Sequence, residues 1–161
     1  MSTKRRGIVS LLVALALPQV AGGVGAIPTR SAIPDWYADL RKPSWQPPNW
    51  IFGPVWIMLY LLMGIASLLV WRKGSKGKAT RFALTLYGLQ LVANTAWSLL
   101  FFGSKRLGWA FAEIVALWAL IAATLTAFWR IDRRAGLLLV PYQVWVSFAG
   151  VLNAAIWRMN R

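Results

Sequence analysis

An all-α integral membrane bundle of five transmembrane helices is the fold class that this 161-residue sequence predicts, on three observations. Hydrophobic residues make up 58% of the chain and charged residues 14%, with a mean hydropathy of +0.55, too apolar for a soluble domain of this length. The apolar residues gather into five runs, each near the roughly 20 residues that a helix needs to cross a hydrocarbon core of about 30 Å. Most of the 18 Lys and Arg residues sit in clusters at the edges of those runs, as helix-end charges facing lipid headgroups do. That placement accounts for the net charge of +14 without nucleic acid, and no nucleic-acid partner is expected.

The runs cover residues 8–27, 50–71, 82–102, 107–129 and 135–157, in one domain spanning 1–161. Backbone groups in lipid have no water to bond to, and the runs exceed strand length, so helices are expected. The first run has two readings. Lys4, Arg5 and Arg6 ahead of it and the small residues Gly22, Gly23, Gly25 and Ala26 near its end also resemble a cleavable secretory signal, although Pro18 and Gln19 interrupt the apolar stretch. With five spans, the N-terminal tail, the 72–81 loop and the 130–134 turn share one side and carry more Lys and Arg than the other. The positive-inside rule then places the N-terminus in the cytoplasm.

Between the first two runs lies a long loop, 28–49, rich in proline and aromatics: Pro34, Trp36, Tyr37, Pro43, Trp45, Pro47 and Pro48. Proline fixes φ and removes backbone donors, so the loop is expected to be ordered. A connection this long in a small protein reads as a lid over a site, or its aromatics form an interfacial belt.

Each later span carries a stripe at helical spacing. In the second it is Trp56, Tyr60, Met63 and Ser67; in the third, Gln90, Asn94, Trp97 and Phe101; in the fourth, Trp109, Ala112, Glu113 and Ala116; in the fifth, Tyr142, Trp145, Ala149 and Asn153. Membrane Asn and Gln need partners, which a neighbouring helix or a ligand can supply. Glu113 is the sole acidic residue within the runs, and its place near a helix start beside Lys105 and Arg106 suits a structural carboxylate, with proton relay or ligand contact as the alternatives. The chain has no Cys or His, which removes disulfides, thiolate and imidazole metal sites and the commonest general base. No metal is expected, and no catalytic carboxylate pair is visible.

The run from Trp36-Tyr37 through Lys42-Pro43, Trp45, Pro47-Pro48 and Trp50, followed by Pro54, Trp56, Tyr60 and Met63-Gly64, closely resembles the translocator protein family, also called TspO or tryptophan-rich sensory proteins. Asn94 with Trp97, Phe101-Phe102-Gly103, Gly108-Trp109-Ala110, Pro141-Tyr142 with Trp145 and Phe148-Ala149, and Leu152-Asn153 with Trp157-Arg158 continue the resemblance in family order over nearly the whole chain. It implies a homodimeric five-helix membrane protein that binds porphyrins such as protoporphyrin IX as ligand or substrate, without a separate cofactor; the loss of animal-type motifs favours a bacterial cell membrane. The matching ligand-binding residues are Tyr37, Pro47, Trp56, Asn94, Trp97, Phe101, Trp109, Ala112, Trp145, Ala149 and Leu152. The implied role is a tetrapyrrole or stress sensor or a transporter. The alternative is light- and oxygen-dependent porphyrin degradation, with Trp56 and Trp145 as candidate catalytic residues; a scaffold without a ligand is a third class.

Two departures from the family pattern narrow these expectations. Ala154 and Ala155 stand where animal members carry tyrosines in a proposed cholesterol motif, which argues against sterol binding. Thr85 and Leu89 replace the glycines of a GxxxG seam in the third span, although Ala83, Gly88 and Ala93 leave room for close packing.

Overall fold

Long stretches of Ala, Leu, Val and Ile satisfy their backbone groups within helices, and the computed structural model, which describes residues 3–74 and 77–161 and side chains from Gly7 onward, is helical throughout its long segments. These are α1 (Thr3–Ala32), a single turn α2 (Trp36–Asp39), α3 (Asn49–Arg72), α4 (Lys78–Ser98) continued by a π-helical turn (Leu99–Gly103), α5 (Leu107–Ile131) and α6 (Arg133–Met159). Five are long and apolar enough to cross a membrane, all but α2. The chain is therefore an all-α, multi-pass integral membrane protein. The side chains of Lys4, Arg5 and Arg6, and the whole of Lys76, lie outside the described residues.

The spans lie within five residues of the apolar runs at either end, and the lid boundary shifts with them. Residues 28–32, expected in the loop, are the last turns of α1. There the Thr29 hydroxyl donates to the Gly25 carbonyl at 2.9 Å and the Ser31 hydroxyl to the Pro28 carbonyl at 3.0 Å, so polar side chains bond back to their own helix. The helix stops at Ala32 because Pro34 disfavours helical backbone at the residue before it, Ile33. The lid proper is 33–48, and α2 gives it one ordered turn.

The five spans close a ring in the order α1, α3, α6, α5, α4, each packing chiefly on its two neighbours. Gly64 lets α3 approach α1: a Cβ there would lie 2.7 Å from the Ala14 carbonyl oxygen, the same carbonyl that Pro18 leaves without its i+4 donor. Inside the ring, Leu59, Met63, Leu117, Ile121, Phe128 and Leu139 form the larger apolar core. A smaller one under the lid gathers Tyr37, Phe101, Leu107, Ala110, Leu152 and Ile156. On α4, Ala83 is buried in the larger core, so it cannot belong to an outward seam between copies; Leu89 does face outward.

Two sets of contacts show which loops share an end. Asp132 caps α6: its Oδ1 accepts from the Arg134 backbone N–H at 2.8 Å and its Oδ2 lies 3.4 Å from Lys73 Nζ, joining the α5–α6 turn to the end of α3. The backbone hydrogen bond first, then the lysine, hold the Asp132 carboxyl below the usual carboxylate range. At the other end, the Asn160 amide holds the lid. The Arg41 N–H donates to Asn160 Oδ1 at 2.9 Å, and Asn160 Nδ2 donates back to the Arg41 carbonyl at 2.8 Å.

Candidate functional site

Where the two cores meet, below the lid, the ring leaves a cavity of about 490 Å³ walled by α1, α3, the end of α4 and α6, with the lid above. On α1 it extends from Gln19 to Arg30, which at 1.5 Å per residue is about 16 Å, and Ile33 continues the wall into the lid. At the end away from the lid, Gln19 Nε2 donates to the Ile57 carbonyl at 3.3 Å and ties α1 to α3.

The α1 wall is nearly bare. Gly22, Gly25 and Ala26 present no side chain that fills the space, and two of them cannot be enlarged without a shift: a Cβ on Gly22 would fall 2.1 Å from the Tyr60 ring, and one on Gly25 would lie 3.1 Å from Ser98 Oγ. The remaining walls are aromatic. From α3 come Phe52, Trp56 and Tyr60, with Trp56 stacked on Tyr60 at 5.4 Å between ring centres and T-shaped to Tyr142 at 6.1 Å between ring centres. From α6 comes Trp145, with Phe52 against it at 5.6 Å.

The end of α4 contributes through its π-helical turn, an irregularity that re-aims side chains and is frequent at functional sites. It brings Phe101 and Phe102 to the cavity beside Trp97, whose ring lies 5.2 Å from Phe101. The Trp97 indole is held by its N–H, which donates to Asn153 Oδ1 at 3.1 Å, while Asn153 Nδ2 donates to the Leu107 carbonyl at 3.0 Å. Above, Tyr37 packs on Phe102 at 5.5 Å and Trp36 on Phe101 at 6.0 Å. Lys42 Nζ lies 4.9 Å over the Tyr37 ring while donating to the Ala38 and Leu40 carbonyls, which fixes the turn that carries Tyr37. Burial pushes the Tyr37 phenol up to about 12, so it stays neutral at physiological pH.

The structure brings seven of the residues singled out from sequence to this cavity: Tyr37, Trp56, Trp97, Phe101, Trp145, Ala149 and Leu152. Four lie elsewhere. Asn94 is buried behind Tyr60, accepting from the Tyr60 hydroxyl at 2.7 Å and donating to the Tyr142 hydroxyl at 3.1 Å, which in turn donates to Gln90 Oε1 at 3.0 Å. Its amide is thus committed to the helix packing. Pro47 sits half-buried in the lid, off the wall. Trp109 is 66% exposed, and with Ala112 it lines a separate shallow groove at the junction of α5 and α6, because α5 contributes no side chain to the main cavity. Glu113 shares that helix and is likewise absent from the wall. The residues that sequence reasoning missed are chiefly those of α1 and Tyr60. Tyr60 stood in the α3 stripe, and the α1 glycines were visible only as a run of small residues.

A closed ring of five spanning helices, with an aromatic cavity under an ordered lid, defines a multi-pass membrane protein built around an internal apolar site. The profile of the TspO/MBR family matches residues 14–158. Over 146 residues the chain is 41% identical to the translocator protein of Bos taurus, covering 90% of this chain and 86% of that one. It is 41% identical over 140 residues to protein CrtK of Rhodobacter capsulatus, covering 87% and 86%, and 39% identical over 153 residues to the tryptophan-rich protein TspO of Chlorobaculum tepidum, covering 95% and 97%. The chain belongs to the TspO/MBR family.

Proposed function

We propose that this family member binds porphyrins, protoporphyrin IX and related haem precursors, in the cavity beneath the lid, as a tetrapyrrole or stress sensor or a transporter in a bacterial cell membrane. The observation that carries the reading is the shape and chemistry of the slot. Trp56, Trp97, Phe101 and Trp145 converge on one space from three elements, facing a wall of glycine and alanine. A flat macrocycle stacks on aromatic rings and lies against small residues, where a bulky three-dimensional ligand would not. A volume of about 490 Å³ falls within the range of about 300 to 1,000 Å³ that suits a ligand of this size. The family membership supports the same reading, since members are named as translocators and tryptophan-rich sensory proteins.

One observation favours the second reading, photo-oxidative porphyrin degradation. Trp56 lines the slot while stacking on Tyr60, whose hydroxyl enters the buried Asn94–Tyr142–Gln90 chain. An indole beside an illuminated porphyrin is an oxidisable group in contact with a buried phenol. Titration of the purified protein with protoporphyrin IX, followed by illumination in air, separates the readings. Saturable binding without a new pigment supports sensing or transport, pigment formed over several turnovers supports the enzyme, and the absence of saturable binding removes both.

A further inference from the structure

We propose that Arg30 anchors a carboxylate of the ligand, so that the cavity selects flat aromatic acids, held with their acidic edge toward the lid, over uncharged molecules of the same shape. The inference rests on the reading of the cavity as a porphyrin site and names the chemistry by which that site would choose and orient its ligand.

Arg30 follows Gly22 and Ala26 at intervals of four on α1, so the three share the face that forms the bare wall. Gly22 lies close against the Tyr60 ring, Ala26 lines the cavity beside it, and Arg30 is the charged residue of that face, at the lid end. No other charged side chain among the described residues lines the cavity. Several polar groups deeper in the slot are already engaged: Tyr60 donates to Asn94, Gln19 to the Ile57 carbonyl, and the Asn153 amide is held between Trp97 and Leu107. The Trp145 indole N–H, buried without a partner among the described residues, can donate a hydrogen bond but carries no charge, so a ligand carboxylate placed there meets no counter-charge, whereas at the lid end it meets a cation.

That cation is uncommitted. The chain has four carboxylate side chains, Asp35, Asp39, Glu113 and Asp132, and the one ion pair among the described residues joins Asp132 to Lys73 at the opposite end of the ring. The Arg30 guanidinium makes no hydrogen bond or ion pair with a described residue, although Asp35 and Asp39 lie within nine positions of it in the lid. A planar fork of donors matches a carboxylate two bonds at a time, and a guanidinium is less strongly hydrated than an ammonium, so a rim arginine suits an acid whose apolar body lies inside. Arg30 is exposed, so water competes for the pair and the effect is moderate. The plainer role for a basic residue in the last turn of a spanning helix is to face the headgroups; a residue doing only that would be indifferent to the ligand's charge.

Protoporphyrin IX and its dimethyl ester differ in that charge and share the macrocycle, which makes them the probes. In micelles of uncharged detergent, wild-type protein should bind the diacid about three- to tenfold more tightly, relative to the ester, than does Arg30→Gln. Arg30→Gln should leave ester affinity unchanged, which also reports that the variant is folded, and Arg30→Glu should weaken the diacid further. Arg130→Gln, at the far end of the ring, should keep the wild-type preference. The proposal is overturned if Arg30→Gln retains the wild-type preference for the diacid, or if both ligands weaken equally. Failure of wild-type protein to bind either probe would instead remove the porphyrin reading, and this inference with it.

Discussion

Glu113 lies on α5, the spanning helix that gives no side chain to the cavity, and its Oε2 atom is buried without a hydrogen-bond partner among the described residues. Its position in the second turn of α5 places it near the positive end of the helix dipole, which favours a structural carboxylate over one that touches the ligand. Glu113→Gln should therefore leave porphyrin affinity within about threefold of wild type; a tenfold loss, about 1.4 kcal/mol, would mean that the carboxylate acts on the ligand. Asn94 shows how far such reasoning reaches from sequence. Its polarity within an apolar span announced that it had a partner, but an amide cannot show from its own position whether the partner is a ligand or, as here, two tyrosines on other helices. Trp56, Trp97 and Trp145 were legible because large aromatics repeated on faces that also carried polar or small residues. Trp109 satisfied the same periodicity, yet its face turns outward, since period alone defines a stripe without saying which side of the ring it meets.

The lid lies over the cavity, and its long-range hydrogen bonds come from a single side chain. Asn160, at the end of α6, pairs with both backbone groups of Arg41 as a strand neighbour would. Asn160→Ala removes both bonds while leaving the cavity wall intact. Backbone amides of residues 40–42 should then exchange with solvent faster, and bound porphyrin should dissociate faster with a smaller change in its association rate. Unchanged exchange at Arg41 would show that the aromatic contacts of Trp36, Tyr37 and Trp45 hold the lid without the clasp. The order of this loop was readable from its prolines and aromatics, and Pro34 explains where α1 ends. The clasp was not readable, because it joins residues 119 positions apart.

At the scale of the molecule, the number and approximate limits of the spans followed from hydropathy alone, whereas the ring order and the α1 wall depend on contacts between distant segments. The small residues of α1 are compatible with a cleavage signal, a tight helix contact or a cavity wall; Tyr60 and Ser98 opposite Gly22 and Gly25 show what their smallness admits. The structure groups the α3–α4 and α5–α6 turns at one end through Lys73 and Asp132, and the lid with the end of α6 at the other. The expectation from the positive-inside rule is that the first of these ends is cytoplasmic, and it can be tested. Because the native chain has no cysteine, Lys78→Cys and Arg161→Cys report their sides without background, and an impermeant thiol reagent applied to intact cells should label the second and spare the first. Labelling of both positions, or of Lys78→Cys alone, would refute that topology.

The central claim, that the aromatic slot is the porphyrin site, is tested most directly by comparing its walls with the aromatic belt in one binding assay followed by porphyrin absorbance. Trp56 and Trp145 line the cavity, whereas Trp71 and Trp129 lie at span ends, 48% and 40% exposed and off the wall. Loss of an aromatic wall removes buried area and stacking, the latter alone about 0.5 to 1.5 kcal/mol, so Trp56→Phe and Trp145→Ala should weaken binding several-fold to about tenfold. Trp71→Phe and Trp129→Phe should leave it unchanged. If the belt substitutions weaken protoporphyrin IX binding as much as the wall substitutions, in protein shown to be folded, the porphyrin lies on the lipid-facing surface and the slot is not its site.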